Sequence, residues 1–191
     1  MLVMIAAGLT EAERDKVFLG RGDSPFVPEV MSEIKDAAET LAPYRFDRVY
    51  SSDLYRAQET LRGVLKGNPY NPGWELVEEL RERSAGSYEG MKYTDIRKGM
   101  SPKQYKAWER DPFEAPLHGE SLMDIYERLA PWFQDQVAPR LKKNENLLVI
   151  SHPDTIKVLI AMARGDDLTD VTSIQIEHTL PYFYHGTTRS R

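Results

Sequence analysis

An arginine, a glutamate and a histidine lie just after three separate apolar runs of this sequence. Arg56 follows DRVYSS, Glu82 lies in the run LRER, and His152 comes directly after LLVIS. In open parallel sheets, ligands collect at the carboxyl ends of strands, where loops and helix N-termini present hydrogen-bond donors. These three residue types suit phosphoryl chemistry, in which positioning and electrostatics do most of the work.

Each of these residues also has an ordinary structural explanation. Arg56 could lie on the surface of a polar helix, and Glu82 sits in the charge-rich stretch EELRERS, which is typical of a solvated face. His152 precedes Pro153 and Asp154, so it could simply cap a helix. A shared site therefore requires further motifs that bring these residues together.

Short apolar runs alternate with helical periodicity along the chain, and this alternation is typical of a layered α/β domain. Asp53 is expected to cap the second predicted helix, whereas the segment 84–119 is predicted to be irregular. The predicted strands and helices cover the following residues: strands at 2–6, 47–52, 74–77, 147–151, 173–176 and 181–184, and helices at 28–41, 54–65, 121–141 and 155–163.

The composition excludes several classes of function. The 191 residues carry 25 lysines and arginines against 30 aspartates and glutamates, and the net charge of −5 disfavours duplex nucleic acid and anionic lipid as partners. Cysteine is absent and the four histidines show no zinc-binding spacing, so we expect neither disulfides nor a metal. The first apolar run lacks a basic leader and is far shorter than the about 17 to 25 residues of a membrane helix. We therefore expect a single soluble domain over residues 1–191, compatible with the cytoplasm.

Five stretches occur in a characteristic order along nearly the whole chain. They are FLGRGDSP, FDRVYSSDLYRAQET, LRERSAGSYEG, HGESLMDIYERL and VISHPDTIKVLI. Together they resemble the histidine phosphatase superfamily, specifically its phosphoglycerate mutase-like branch; one such motif would be weak, whereas the ordered set is a strong signal. The resemblance implies a three-layer α/β/α sandwich around a mostly parallel sheet, with a phosphate pocket at the strand ends.

The resemblance also implies roles for individual residues. Arg56 falls on the family's second phosphate-binding arginine, Glu82 on its proton donor, and His152 on the second histidine beside the phosphate. Thr10 would donate one hydroxyl to the same pocket. The segment 84–119 would form the variable lid that selects the substrate, and its aromatic side chains suggest a partly apolar cover or an interface. No cofactor is expected.

The opening motif departs from the family's pattern. The family's first strand ends in Arg-His-Gly, whose histidine takes the phosphoryl group and whose arginine grips its oxygens, whereas this chain has Ala6, Ala7 and Gly8. Of the three motif positions Gly8 alone keeps the family's residue, so it is the one expected to contribute to phosphate binding. Alanine offers no lone pair, so a phosphohistidine cannot form at Ala7. Glu13 lies where related enzymes often have a phosphate-facing asparagine, and a carboxylate pointing inward there would repel a phosphate dianion.

Three hypotheses follow, and whether the chain is an enzyme stays open among them. In the first, which we favour, it is a degenerate member of the family that binds a phosphorylated small molecule or a protein partner without covalent catalysis. In the second, Ala6 and Ala7 were engineered into an active phosphomonoesterase. In the third, His152 activates water and Glu82 protonates the leaving group without a phosphoenzyme. We expect no nucleic acid or membrane partner, and a homodimer is compatible with all three.

The remaining histidines and the tryptophans are assigned structural roles. His118 and His178 flank turns and are expected to be surface or structural residues, and His185 belongs to the polar tail HGTTRSR, which is expected to be mobile. The tryptophans lie within or beside apolar patterns and are expected to pack in the core: Trp74, Trp108 and Trp132.

Overall fold

The centre of the fold is a five-stranded sheet, seen in a computed structural model that describes residues 1–70 and 72–186, apart from the side chains of Glu109 and Arg110. The strands are β1 (Leu2–Ala6), β2 (Arg48–Ser52), β3 (Glu75–Val77), β4 (Leu147–Ser151) and β5 (Tyr182–Tyr184). Their order across the sheet is β3-β2-β4-β1-β5. Neighbouring strands are parallel except β5, which runs antiparallel to β1, so the mostly parallel sheet is confirmed.

Helices cover both faces of this sheet. They are α1 (Glu11–Arg14), α2 (Val30–Leu41), α3 (Tyr55–Val64), α4 (Tyr93–Lys98), α5 (Pro102–Arg110), α6 (Leu122–Trp132), α7 (Ala138–Lys142), α8 (Pro153–Arg164) and α9 (Leu168–Val171). The α2 and α3 helices pack on the face that carries Val3 and Ile5, whereas α6 and α8 cover the face that carries Leu2 and Met4. The fold is therefore the three-layer α/β/α sandwich. Among the helices of the described residues, none is long and apolar enough to cross a membrane.

The carboxyl ends of the neighbouring strands β1 and β4 lie side by side and position the candidate site. Both are buried along their whole length, because helices lie on each face of a parallel sheet and every side chain meets apolar neighbours. Their register pairs Ala6 with Ser151. Ala7 and His152, which follow these two residues, therefore leave the sheet side by side.

The helix predicted over residues 121–141 is present but changes its hydrogen bonding midway. Ser121 caps its start, because its hydroxyl accepts the backbone N–H of Asp124. After α6 the residues Phe133–Val137 form a π-helical turn, and α7 continues the path. This turn lies between Pro131 and Pro139, each of which lacks the N–H that the regular ladder needs.

The segment 173–176 was predicted as a strand but is not one. Ser173 lies in a turn, and from residue 174 to 178 half-buried and exposed residues alternate, with Ile174 and Ile176 packed against the core as alternate residues of a strand would be. No neighbouring strand pairs with them in the described part of the chain, so the ladder that defines a strand is missing. The second predicted strand of this region, at 181–184, is present as β5.

The cap predicted at Asp53 is also wrong. The α3 helix begins after Leu54, and no side chain caps it. The Asp53 carboxylate instead accepts two hydrogen bonds from Arg81, at 2.8 Å from Nε and 2.6 Å from Nη2. A charge-assisted pair of this kind outcompetes a neutral backbone N–H for the carboxylate.

The segment 84–119, predicted to be irregular, contains α4 and α5. The α5 helix begins with a capping box in which Ser101 and Gln104 satisfy each other's backbone N–H groups. Trp108 anchors this segment, since it is buried and packs against Phe18 and Tyr93 in a separate aromatic cluster. The apolar part of this segment is therefore built around one tryptophan.

The tryptophan predictions hold for two of the three residues. Trp108 and Trp132 are 5% and 9% exposed and lie in the core clusters, as predicted. Trp74 is 44% exposed, so its assignment to the core was wrong. It directly precedes β3, an edge strand that has a partner on one side only.

Candidate functional site

A cavity of about 410 Å³ opens where the carboxyl ends of β1, β2 and β4 meet. One wall is aromatic and is formed by Phe18, Tyr93 and Tyr105. The rest of its titratable lining consists of Glu13, Lys16, Arg56, Glu82, Asp154 and His178. No cluster of three or more carboxylate or histidine side chains that could hold a metal is present among the described residues.

Arg56 lies in this cavity but is already engaged by the protein. It is only 2% exposed, and its two terminal nitrogens donate to the carbonyl oxygens of Gly22 and Gly20 at 2.7 and 2.8 Å. Its buried Nε has no partner among the described residues. The guanidinium therefore holds the first loop, which contains Gly20 and Gly22, in place and keeps one N–H without a partner among the described residues.

The loop itself requires glycine at the point that Arg56 holds. Gly20 has a φ of +57°, a left-handed conformation that side chains disfavour. A Cβ atom there would lie 2.7 Å from the Cβ of Ala85. Gly20 therefore allows the close approach between this loop and the start of the 84–119 segment.

Glu82 borders the cavity and is 8% exposed. Its Oε1 accepts the backbone N–H of Arg83 at 2.8 Å, and its Oε2 lies 3.5 Å from the backbone nitrogen of Asp154. Burial, and next the neighbouring Asp154 carboxylate, raise the pKa of Glu82 to about 7, while the Arg83 N–H and the charge of Arg56 oppose the rise. Glu82 can therefore carry and donate a proton near neutral pH, as its predicted role requires.

Asp154 is the charged partner of Glu82. Its carboxylate lies 2.9 Å from Nε of Arg83 and 3.0 Å from Nζ of Lys157. Burial would raise the pKa of Asp154, but these two cations outweigh it and lower the pKa to about 2. Two neighbouring carboxyl groups thus divide their roles, since Asp154 keeps the negative charge and Glu82 keeps the proton.

His152 does not line the cavity, although the sequence placed it beside the phosphate. The side chain is fully buried, and its Nε2 lies 2.9 Å from Oγ of Ser52. Its Nδ1 is buried without a partner among the described residues. Burial, followed by the charges of Arg56 and Arg128, lowers the pKa of His152 well below its ordinary value, so the ring is neutral. The imidazole therefore lies beneath the site and does not border the space above it.

Gly8 and Thr10, predicted to bind phosphate, do not line the cavity either. The Gly8 N–H donates to Oγ1 of Thr60 at 2.9 Å. The Thr10 hydroxyl donates to Oε2 of Glu13 at 2.7 Å and accepts the Glu13 N–H, and the Thr10 backbone N–H donates to the same Oε2 at 3.0 Å, which closes a capping box at the start of α1. The donors expected to hold phosphate are thus used inside the protein. Glu13, whose direction the sequence left open, does line the cavity.

Ala6 and Ala7 are closed off from the cavity. They are 0% and 1% exposed, and their methyl groups belong to the core clusters on opposite faces of the sheet. Their backbone is fixed as well, because the Ala7 N–H donates to the Ser151 carbonyl at 2.8 Å and the Ala6 carbonyl accepts the Thr179 N–H at 2.9 Å. Interiors are close-packed, so larger side chains at these positions would displace their neighbours.

His178 is a cavity residue that the sequence analysis assigned to a structural role beside a turn. Its Nδ1 lies 2.6 Å from the carbonyl oxygen of Ala7. Because a carbonyl oxygen accepts but cannot donate, Nδ1 carries the proton, and in the neutral ring Nε2 keeps its lone pair. This nitrogen has no hydrogen-bond partner among the described residues. The only sequence signal for His178 is its position at the end of the extended run SIQIE.

Charged groups of both signs line the cavity. With Glu82 protonated, Glu13 and Asp154 lie opposite Lys16 and Arg56, in addition to His178. Two unit charges about 4 Å apart interact by about 4 kcal/mol at an effective dielectric near 20. One inward carboxylate therefore offsets about as much attraction for a phosphate as one arginine provides.

Residues 2–182 match the family model described as histidine phosphatase superfamily, branch 1. The chain therefore belongs to the histidine phosphatase superfamily. It is similar to a phosphoglycerate mutase of Schizosaccharomyces pombe, with 30% identity over 189 residues that cover 97% of this chain and 89% of the relative. A 2,3-bisphosphoglycerate-dependent phosphoglycerate mutase of Cytophaga hutchinsonii is 28% identical over 184 residues, covering 96% and 86% of the two chains.

Solved structures of other proteins share the fold. The Bacillus stearothermophilus protein YhfR superposes with a TM-score of 0.82 and 25% identity, covering 97% of this chain and 92% of its own. A mycobacterial glucosyl-3-phosphoglycerate phosphatase in complex with VO3 has a TM-score of 0.83 at 22% identity, covering 94% and 90%. The family and the three-layer fold predicted from the sequence are thus confirmed.

Proposed function

We propose that this chain is a binding protein of the histidine phosphatase superfamily that transfers no phosphoryl group through a phosphohistidine. The carrying observation is the end of β1, where the methyl groups of Ala6 and Ala7 are packed into the core. No nucleophile reaches the cavity from these two positions. The lack of cysteine suits a reducing compartment, and we propose the cytoplasm as its location.

The proposed occupant is a protein partner or a phosphorylated small molecule, and the charges favour the partner. Both terminal nitrogens of Arg56 donate to loop carbonyls, so among the described lining residues its Nε and the Lys16 ammonium are the cationic donors left for an anion. Glu13 and Asp154 oppose a phosphate dianion in the same cavity. The aromatic wall and the protonated Glu82 offer neutral contacts instead.

The engineered alternative is less well supported. Two substitutions made only to inactivate a phosphatase would leave its other phosphate-binding side chains free to bind phosphate. Here Thr10 donates to Glu13, Glu13 lines the cavity, and Arg56 holds the first loop. Glu13, at a position where the resemblance implies an asparagine, is therefore a departure beyond Ala6 and Ala7 and supports a site that has changed more widely than two substitutions.

The water-activating alternative depends on His152 and Glu82. Glu82 has the pKa that a proton donor needs. His152, however, is fully buried with Nε2 against Ser52, so a water in the cavity does not contact its imidazole in this conformation. This route would need β2, or the loop that follows it, to move so that the His152 imidazole borders the cavity.

Hydrolysis of p-nitrophenyl phosphate by the wild type and by the Ala6→Arg/Ala7→His variant tests the proposal. We expect no turnover above background from either protein. Turnover by the double variant alone would show that the rest of the site is intact and favour the engineered account. Wild-type turnover that is lost in His152→Ala would establish the water-activating route and overturn the proposal.

The double variant needs a folding control, because both positions are fully packed. The single variant Ala7→His serves as a milder companion, and circular dichroism with thermal unfolding reports whether each variant is native. An inert but folded variant supports the proposal. Only variants that pass this folding control are compared in the p-nitrophenyl phosphate assay.

A further inference from the structure

A second cavity, of about 1060 Å³, lies beside the first and shares Pro153 and His178 with it. We call it the trough. All the residues of the segment 172–178 line it in one unbroken run. From residue 174 to 178 half-buried and exposed side chains alternate, as on the two faces of an extended chain, yet all five residues line the trough, so the backbone itself borders it.

The backbone of this segment has unused hydrogen-bonding groups. Within residues 1–70 and 72–186, the N–H groups of Gln175, Ile176, Glu177 and His178 find no acceptor. The side chains of Ile174 and Ile176 pack against the core, whereas Gln175 and Glu177 are exposed, which is the alternation of an extended chain. A row of ordered, unpaired donors is what an exposed strand edge presents to another chain.

The direction of these donors follows from the contact with β1. His178 forms an isolated parallel bridge with Ala6, and the Thr179 N–H donates to the Ala6 carbonyl at 2.9 Å. Successive N–H groups of an extended chain point to opposite sides. The N–H groups of His178 and Ile176 therefore point away from β1 and form the free edge.

The charges beside this edge are negative. Glu33 and Glu177 line the trough with exposed side chains, and neither is in an ion pair within the described residues. Glu33 only accepts the hydroxyl of Thr179, at 3.1 Å. The cation of the trough, Lys157, is bound to Asp154 at 3.0 Å. The trough therefore attracts basic groups.

We infer that an extended segment of a protein partner, carrying basic side chains, adds to the edge formed by Ile176 and His178 and lies in the trough. The inference rests on the proposed binding function and specifies its partner. Strand addition uses main-chain hydrogen bonds for affinity and alternate side chains for specificity. Here the main-chain bonds go to the free edge, and lysine or arginine side chains reach Glu33 and Glu177.

Amide chemical shifts of the isotope-labelled protein test this inference directly. The probe is an acetylated and amidated hexapeptide of alternating lysine and valine. We expect larger shifts at the amides of Ile176 and His178 than at those of Gln175 and Glu177, since only alternate residues pair. The same peptide with N-methylated valines should bind at least about tenfold more weakly, because it has lost main-chain donors.

Variants of the protein test the charge contribution. The Glu33→Gln/Glu177→Gln variant should bind the lysine peptide about fivefold more weakly, as expected for exposed ion pairs. Glu39→Gln is the matched control, because Glu39 is an exposed residue of the same helix as Glu33 and does not line the trough. Its affinity should equal that of the wild type.

Several results would overturn the inference. No shifts at residues 174–178 with millimolar peptide, or equal binding of the N-methylated peptide, would exclude strand addition. Equal binding of a peptide with glutamate in place of lysine would exclude the basic partner. Concentration-dependent shifts of the same amides without peptide would assign the edge to a second copy of this chain. Wild-type phosphatase turnover would defeat the proposed function but leave the peptide result standing, so the two failures are distinguishable.

Discussion

Replacing Glu82 by glutamine should make the free energy of unfolding depend less on pH, because Glu82 itself destabilises the wild type as the pH rises. The pKa of Glu82 is raised from 4.5 to about 7 in the folded protein, chiefly by burial. The folded state therefore holds this proton more tightly than the unfolded state does. The contribution of Glu82 is most favourable below the unfolded pKa and is lost as the pH rises through the folded pKa.

The size of this effect follows from the shift. A change from 4.5 to about 7 corresponds to about 3 kcal/mol, because one pKa unit is worth about 1.4 kcal/mol. Between pH 4 and pH 8 the free energy of unfolding of the wild type should fall by about this amount relative to Glu82→Gln. Most of the fall should occur between about pH 4.5 and 7.

Urea denaturation of the two proteins across this pH range measures the difference. Taking the difference cancels the titrations that both proteins share. Glu79→Gln is the matched control, since Glu79 is exposed in the same charged stretch and its replacement removes a carboxylate without touching the buried position. A flat difference for Glu82→Gln, or one that changes in the opposite direction, would refute the assignment of a protonated Glu82.

Three further predictions concern groups that hold the site in place. Arg56→Ala should destabilise the fold by about 3 kcal/mol in urea denaturation, because two buried carbonyls lose a charged donor, whereas exposed Arg62→Ala should change it by less than about 0.5 kcal/mol. Gly20→Ala should lower the melting temperature, since its φ of +57° and the 2.7 Å approach to Ala85 both disfavour a Cβ; an unchanged melting temperature would contradict this geometry. Thr10→Ala should lower the free energy of unfolding by about 1 kcal/mol, because α1 loses its cap. Thr10→Ser should retain most of that stability, and equal losses in the two variants would contradict the cap.

The buried strands were the most predictable part of the fold. The bounds predicted for β1 and β4, 2–6 and 147–151, are those of the structure. A strand covered on both faces needs apolar side chains at every position, so its sequence stands out from its surroundings. The segment 173–176 has a strand-like alternation as well, but pairing depends on a neighbour that local sequence does not specify.

The short helices of the segment 84–119 were missed for a different reason. The α4 and α5 helices are short and largely polar, and their apolar contacts are shared with Phe18, which is distant in sequence. Trp108 packs against Phe18 and Tyr93 as well as against Tyr105 of its own helix, so part of its burial comes from residues outside the helix. Local periodicity is therefore a weak signal for elements of this kind.

The candidate site was predictable where a family motif fixed the residue. Arg56 and Glu82 reach the cavity as expected, whereas Thr10 is used as a helix cap with Glu13. The sequence itself indicates this helix cap, because a threonine followed three residues later by glutamate is the sequence signature of a capping box. His178 reaches the cavity through the bridge between its strand-like segment and Ala6, which sequence spacing does not show.

The central claim is that no phosphohistidine forms in this chain. Incubation of the wild type with phosphoramidate, followed by digestion at alkaline pH and mass spectrometry, measures it at all four histidines: His118, His152, His178 and His185. A histidine phosphatase with an intact Arg-His-Gly motif is the positive control. We predict phosphohistidine in the control and none in this chain, because its β1 strand ends in two packed alanines. Phosphohistidine at His152 or His178 that disappears when that residue is changed to alanine would contradict the account.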